Sequence, residues 1–224
     1  MRTVGQTERN TSLSVGIVIL AAGRSSRMKD QGHKLLARFN GIPLLRKSVL
    51  SAIASDCQTV VVVIGEGHDA LRDTIADLDV RVVENRGYAS GMASSIRAGV
   101  MAAQENKPDG MLIALADMPG IETAHLDRLM AAFRRQQGAC VIRATGNKRP
   151  GNPVIFPSTW FERLERLSGD VGARALLKDN EAALVEVEIG KAALADVDTP
   201  EDMIAAGGVP FTGNVQGTVC SSES

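Results

Sequence analysis

Apolar residues along this chain fall into short continuous runs, separated by stretches in which they recur at helical spacing. The run VGIVILAA (15–22) is apolar throughout and stops at Gly23, which predicts a strand covered on both faces. PLLRKSVLSAIAS (43–55) predicts a helix, with Pro43 placed for its first turn. TVVVVIG (59–65) predicts a second buried strand, HDALRDTIADL (68–78) a second amphipathic helix and VRVVEN (80–85) a third strand. GMASSIRAGVMAAQEN (91–106) reads as a helix starting on small residues, and GMLIALAD (110–117) as a fourth strand ending at an acid. TAHLDRLMAAFRRQQ (123–137) is a further helix with Thr123 as its candidate N-cap.

This alternation argues for an α/β fold, a mainly parallel sheet with helices on both faces in the Rossmann-like manner. After residue 138 the rhythm loosens. Segments 139–145, 152–157 and 184–189 look like strands and 160–167 like a helix. A short final helix is expected over 198–207, with Asp198 at the cap position and Pro200 just inside. Residues 1–14 are expected to be a flexible N-terminus, 15–208 a single domain and 209–224 a flexible tail.

Composition narrows the function classes. A chain of 224 residues suits one α/β domain, and its net charge of −1 provides no broad basic field for nucleic acid or an anionic membrane. Any anion site must therefore be local. The apolar runs fall well short of a membrane span, and the N-terminal segment lacks the apolar core of a secretory signal. Cys57, Cys140 and Cys220 are odd in number and widely spaced, which suits thiols in a reducing compartment. A cytoplasmic protein is expected.

Local chemistry concentrates in IVILAAGRSSRMKDQGHK (17–34), where Arg24, Arg27 and Lys34 surround a glycine turn after a strand. Backbone amides and fixed positive charge together favour a nucleotide phosphate chain. The turn is neither a Walker A loop nor a GxGxxG fingerprint, since Gly23 alone lies in it. An ordinary βα turn with solvated basic residues would read the same way. In parallel sheets ligands bind beyond the carboxyl ends of the strands, where Asn85, Asp117 and Asp198 fall. Two carboxylates opposite a basic turn suit Mg²⁺ bridging protein and nucleotide. Asp198 reads equally as a helix cap, and Asp117 as a turn residue before Pro119. The small residues of GMASSIRAG would admit a base or ribose, or a closely packed helix. Arg97 reads as a solvated helix residue. His33, His68 and His125 have no ligand spacing and read as surface or capping residues. There is no GxSxG elbow.

Taken together, LAAGRSSRM (20–28) with Lys34 and the Leu35–Leu36 pair, GMASSIRAG (91–99), LADMP (115–119), PGNPVIF (150–156), GDVGAR (169–174) and DVDTPED (196–202) resemble the MobA-like nucleotidyltransferases of molybdenum-cofactor synthesis. The resemblance is strongest to the CTP:molybdopterin cytidylyltransferase (MocA) branch, because Ala22 stands where the GTP-using branch tends to glycine. It implies transfer of CMP from CTP to the terminal phosphate of molybdenum cofactor, with release of pyrophosphate. By the same resemblance Arg27 and Lys34 would hold the triphosphate and act in catalysis. Ala21, Ala22, Gly23, Arg24 and Ser25 would line the nucleotide site, with Gly91 and Ser95 beside ribose and base. Asp117 and Asp198 would hold Mg²⁺; Asn85, Arg97 and GDVGAR would serve the rim and the acceptor side. The implied partners are CTP and molybdopterin, with a molybdoenzyme or its maturation chaperone as recipient. Two departures stand out: Lys29 replaces a common glycine, and Met118 a frequent glutamine. The rival readings are a GTP-using guanylyltransferase, another sugar- or alditol-phosphate nucleotidyltransferase, and a non-catalytic cofactor carrier. A dinucleotide oxidoreductase is disfavoured by the missing GxGxxG.

Overall fold

In the computed structural model, residues 13–23, 25, 28, 32–65, 67–169, 172–177 and 183–211 are described. The first predicted strand, β1 (Val15–Ala21), is buried at every position and lies third in a seven-stranded sheet. Its neighbours are β4 (Thr59–Gly65) and β6 (Gly110–Leu115), both parallel to it. β5 (Arg81–Asn85) extends the parallel run beyond β4. On the other side β8 (Arg149–Pro157) runs antiparallel to β6 and to β7 (Val141–Gly146), and β9 (Leu184–Glu188) is parallel to β7. The sheet is thus mainly parallel, as its apolar runs predict, with β8 the reversed strand.

Alternate residues of each central strand feed two separate cores. Ile17, Ile19, Val60 and Val62 join Leu44, Leu45 and Val49 of α1 (Leu44–Ile53) and Leu126, Leu129 and Phe133 of α4 (Thr123–Arg135). Val18, Leu20, Val61 and Val63 face the opposite way, onto Ala93, Ile96 and Val100 of α3 (Met92–Ala103) and Phe161 and Leu164 of α5 (Phe161–Glu165). A sheet buried on both faces needs continuous apolar runs, and that is how the runs were legible.

Several helices are shorter than their periodicity predicts. The segment expected over 68–78 is α-helical only in α2 (Asp69–Asp73), and 104–106 closes α3 with a 3₁₀ turn. Thr123 does not cap α4: Glu122 is the cap residue, and the Thr123 hydroxyl donates to Ser51 O at 3.0 Å. The final helix, α6 (Pro200–Ala205), is capped by Thr199, which exchanges hydrogen bonds with Asp202 in a capping box. Asp198 is therefore not its cap. A small antiparallel sheet of β2 (Arg38–Phe39), β3 (Ile42–Pro43) and β10 (Gly208–Val209) has no counterpart in the sequence reading. Two-residue strands carry no periodicity to read. Val209, expected to open the tail, pairs with Arg38, and Phe211 packs against the first core. No helix among the described residues is long and apolar enough to cross a membrane.

Candidate functional site

A cavity of about 540 Å³ opens at the carboxyl ends of β1 and β6. Strand order reverses beside β1, the place where open α/β sheets bind ligands. It is lined by Ala21, Ala22 and Gly23 after β1, by Tyr88 to Met92 with Ser95, and by Lys34, Asp117, Asp196 and Asp198.

Lys34 begins a 3₁₀ turn anchored by the buried Leu35 and Leu36. Its ammonium donates to Asp117 Oδ2 at 2.6 Å and to Asp198 Oδ1 at 2.8 Å. Lys34 and Asp117 side chains are only 11% and 19% exposed, against 40% for Asp198, so the inner pair is poorly screened. Asp117 lies two residues beyond the end of β6, and its carbonyl accepts the Val197 amide at 2.9 Å. That bond moors the 196–198 stretch beside β6 and brings Asp198 to the cleft. Ser48 of α1 donates to Ala116 O at 3.0 Å and Lys47 to Pro119 O at 2.7 Å, fixing the turn that carries Asp117.

The electrostatics follow from this crowding. Burial pushes the Asp117 carboxyl above its ordinary range, with Asp196 and Asp198 adding to the effect, although the Lys34 ammonium opposes it. Burial opposes the charge on Lys34, but its two carboxylate partners prevail and raise its pKa. Asp117 and Lys34 thus both hold their protons more tightly than usual, the acid chiefly through burial and the lysine through its carboxylate partners. Asp117 Oδ1 is buried and has no hydrogen-bond partner among the described residues, an acceptor suited to a cation. No cluster of three or more acidic, histidine or cysteine ligands occurs among them. A metal held here would take two carboxylates and complete its shell from ligand oxygens and water, as Mg²⁺ does.

Of the candidate residues, the structure brings Ala21, Ala22, Gly23, Lys34, Gly91, Ser95, Asp117 and Asp198 to one cavity. Ser25 stands behind it, its hydroxyl 3.4 Å from the Lys34 amide. Arg24, Arg27 and Lys29 lie outside the described residues, as does part of GDVGAR. Gly91 opens α3 at φ +112°, a conformation that glycine tolerates and side chains rarely adopt. Asn85 is no rim residue. It is buried, donating to Ser94 Oγ at 2.8 Å and Ser95 Oγ at 3.0 Å and accepting from the Gly87 amide at 2.9 Å. Arg97 is exposed and does not line the cavity. Met118 is buried in the core, so its departure from the family pattern is a packing matter. Asp196 and Tyr88 were missed. Asp196 had a signal: in an extended DVD stretch around a buried Val197, both acids share one side.

Residues 17–186 match the family described as MobA-like NTP transferase domain. Purine catabolism protein PucB of Bacillus subtilis (strain 168) is 32% identical over 83% of this chain and 92% of its own. Nicotine blue oxidoreductase of Paenarthrobacter nicotinovorans is 29% identical over 83% of this chain and 93% of its own. Molybdenum cofactor cytidylyltransferase of Escherichia coli (strain K12) is 27% identical over 86% of this chain and 95% of its own. Among solved structures, Rv0371c of Mycobacterium tuberculosis H37Rv superposes with TM-score 0.73 at 26% identity, covering 86% of this chain and 97% of that one. Its manganese complex has the same fold, with TM-score 0.73, 23% identity and the same coverage. With residues 17–186 matching its model, this chain belongs to the MobA-like NTP transferase family and is a nucleotidyltransferase of that kind.

Proposed function

We propose that this protein transfers CMP from CTP to the terminal phosphate of molybdenum cofactor, with Mg²⁺ held by Asp117 and Asp198. A phosphate oxygen of the pterin attacks the α-phosphorus of CTP; the bond from that phosphorus to the bridging oxygen of the β-phosphate breaks, and pyrophosphate leaves. Such a reaction asks for in-line positioning and charge neutralisation more than for a covalent nucleophile. The observation that carries the reading is the buried Asp117 carboxylate, with one oxygen lacking a partner among the described residues and the other on Lys34. Mg²⁺ there would neutralise phosphate charge and stabilise the departing pyrophosphate. Lys34 exchanges its carboxylate partners for phosphate oxygens when the metal is bound, and Arg27 acts beside it. Ala21 to Ser25 line the phosphates, while Gly91 and Ser95 flank ribose and base. The cytidylyltransferase of Escherichia coli, related over nearly its whole length, and Ala22 in the first turn favour CTP and the pterin.

The test is calorimetric titration with CTP and GTP, each with and without Mg²⁺, followed by release of pyrophosphate in the presence of isolated molybdenum cofactor. Mg²⁺-enhanced binding of CTP alone, with pyrophosphate release, supports the reading. Preference for GTP keeps the mechanism and overturns the role given to Ala22. Because one relative is named an oxidoreductase, NADH and NADPH are titrated alongside. Binding of these in place of nucleoside triphosphates would overturn nucleotidyl transfer.

A further inference from the structure

One side chain ties the two sides of the proposed phosphate site together, and the family resemblance gave it no role. His33 stands immediately before the turn that presents Lys34. Its Nδ1 accepts the Leu35 amide at 3.2 Å, capping that turn. Its Nε2 lies 3.1 Å from the carbonyl oxygen of Gly23, which lines the cleft as Lys34 does. A backbone amide can only donate and a carbonyl can only accept. Both contacts are therefore satisfied by one form of the ring, the neutral imidazole protonated on Nε2.

The ring is held in that orientation. It packs edge-on against His68, with ring centroids 5.2 Å apart, and His68 packs edge-on against Tyr88 at 5.5 Å. His68 in turn packs closely on the end of β4: a Cβ at Gly65 would stand 2.4 Å from its Nδ1. Tyr88 lines the cavity. Burial, with His68 and Lys34 nearby, drives the His33 pKa down to about 4, so the ring is neutral under ordinary conditions.

We propose that His33 is a positioning residue for the triphosphate: by drawing the Gly23 carbonyl onto its Nε2–H, it keeps that oxygen from facing the phosphates. Through its Nδ1 it holds the Lys34 turn in register with the glycine turn. The inference rests on the nucleotide reading of this cavity. Its consequence is separable, because an asparagine amide can replace the Nδ1 acceptor and a glutamine amide can reach as far as Nε2.

The test compares wild type, His33→Asn and His33→Gln in calorimetric titration with CTP and Mg²⁺, with melting temperature measured on each protein. His33→Asn keeps the cap and frees the carbonyl, and should weaken CTP binding about fivefold or more. His33→Gln should recover most of that loss, whatever the order of the melting temperatures. Equal binding by His33→Asn and wild type, or an equal loss in both variants, overturns the inference while wild-type binding upholds the nucleotide reading. Wild type that binds neither CTP nor GTP overturns both. Imidazole ¹⁵N spectra of wild type need no substitution. They should show a neutral ring protonated on Nε2 with and without CTP, and the other tautomer or a charged ring at neutral pH overturns the inference.

Discussion

The ammonium of Lys34 stands 2.6 Å from Asp117 Oδ2, across 83 residues of chain. With Asp198 at 2.8 Å it closes a triad of one cation and two anions at the mouth of the central strands. The same lysine thus offsets part of the carboxylate charge, and on the proposed reading it is also a cation offered to the phosphates. A nucleotide site built in this way must exchange partners when it fills.

Lys34→Met should therefore move two affinities in opposite directions. CTP binding with Mg²⁺ is expected to weaken by roughly 1.5–3 kcal/mol through loss of a charge-assisted contact. Binding of Mn²⁺ or Mg²⁺ without nucleotide should tighten, because no ammonium competes for the carboxylates. Calorimetry with metal alone and with nucleotide reads both, and an unchanged CTP affinity would return Lys34 to a structural role.

Asp117→Asn keeps the shape of the side chain and removes its charge. Metal-dependent release of pyrophosphate should fall by about 10²-fold or more. Stability should change by only about 1–2 kcal/mol, because Lys34 keeps Asp198 as its partner. Near-normal turnover in a folded variant would remove Asp117 from the metal site.

His33 makes stability depend on pH in a definite direction. Its folded-state pKa is lowered from 6.5 to about 4, so in that interval the unfolded chain binds a proton that the folded one does not. Its contribution is level above 6.5, declines as pH falls from 6.5 toward 4, and levels off once the folded ring is also protonated. His33→Gln removes this group. The stability difference between wild type and variant, from urea denaturation at about pH 7 and about pH 5, should shift against wild type on acidification.

Gly99 answers the packing question left by the small residues of α3. A Cβ there would fall 2.3 Å from Val18 Cγ1 and 2.9 Å from Val63 Cγ2. Gly99→Ala should destabilise the fold by about 1–2 kcal/mol, overpacking outweighing the roughly 1 kcal/mol of helix propensity that alanine adds. Chemical denaturation measures it. Gly91 and Ser95, by contrast, line the cavity, so one motif serves both packing and the site.

By itself the sequence determined the order of buried strands and helices, because a sheet covered on both faces requires unbroken apolar runs and its helices an apolar stripe. It also marked Gly23 and Asp117, which stand just beyond β1 and β6, and, through the family resemblance, Lys34 and Asp198. It could not reveal that Lys34 lies between the two acids, nor that Thr199 and not Asp198 caps the last helix. Nor could it bring His33 to Gly23, or His33 beside His68 and Tyr88. Periodicity records which face of an element is buried. Which charges meet across a sheet depends on strand order and on single backbone bonds, such as Val197 to Asp117, and only the tertiary structure decides those.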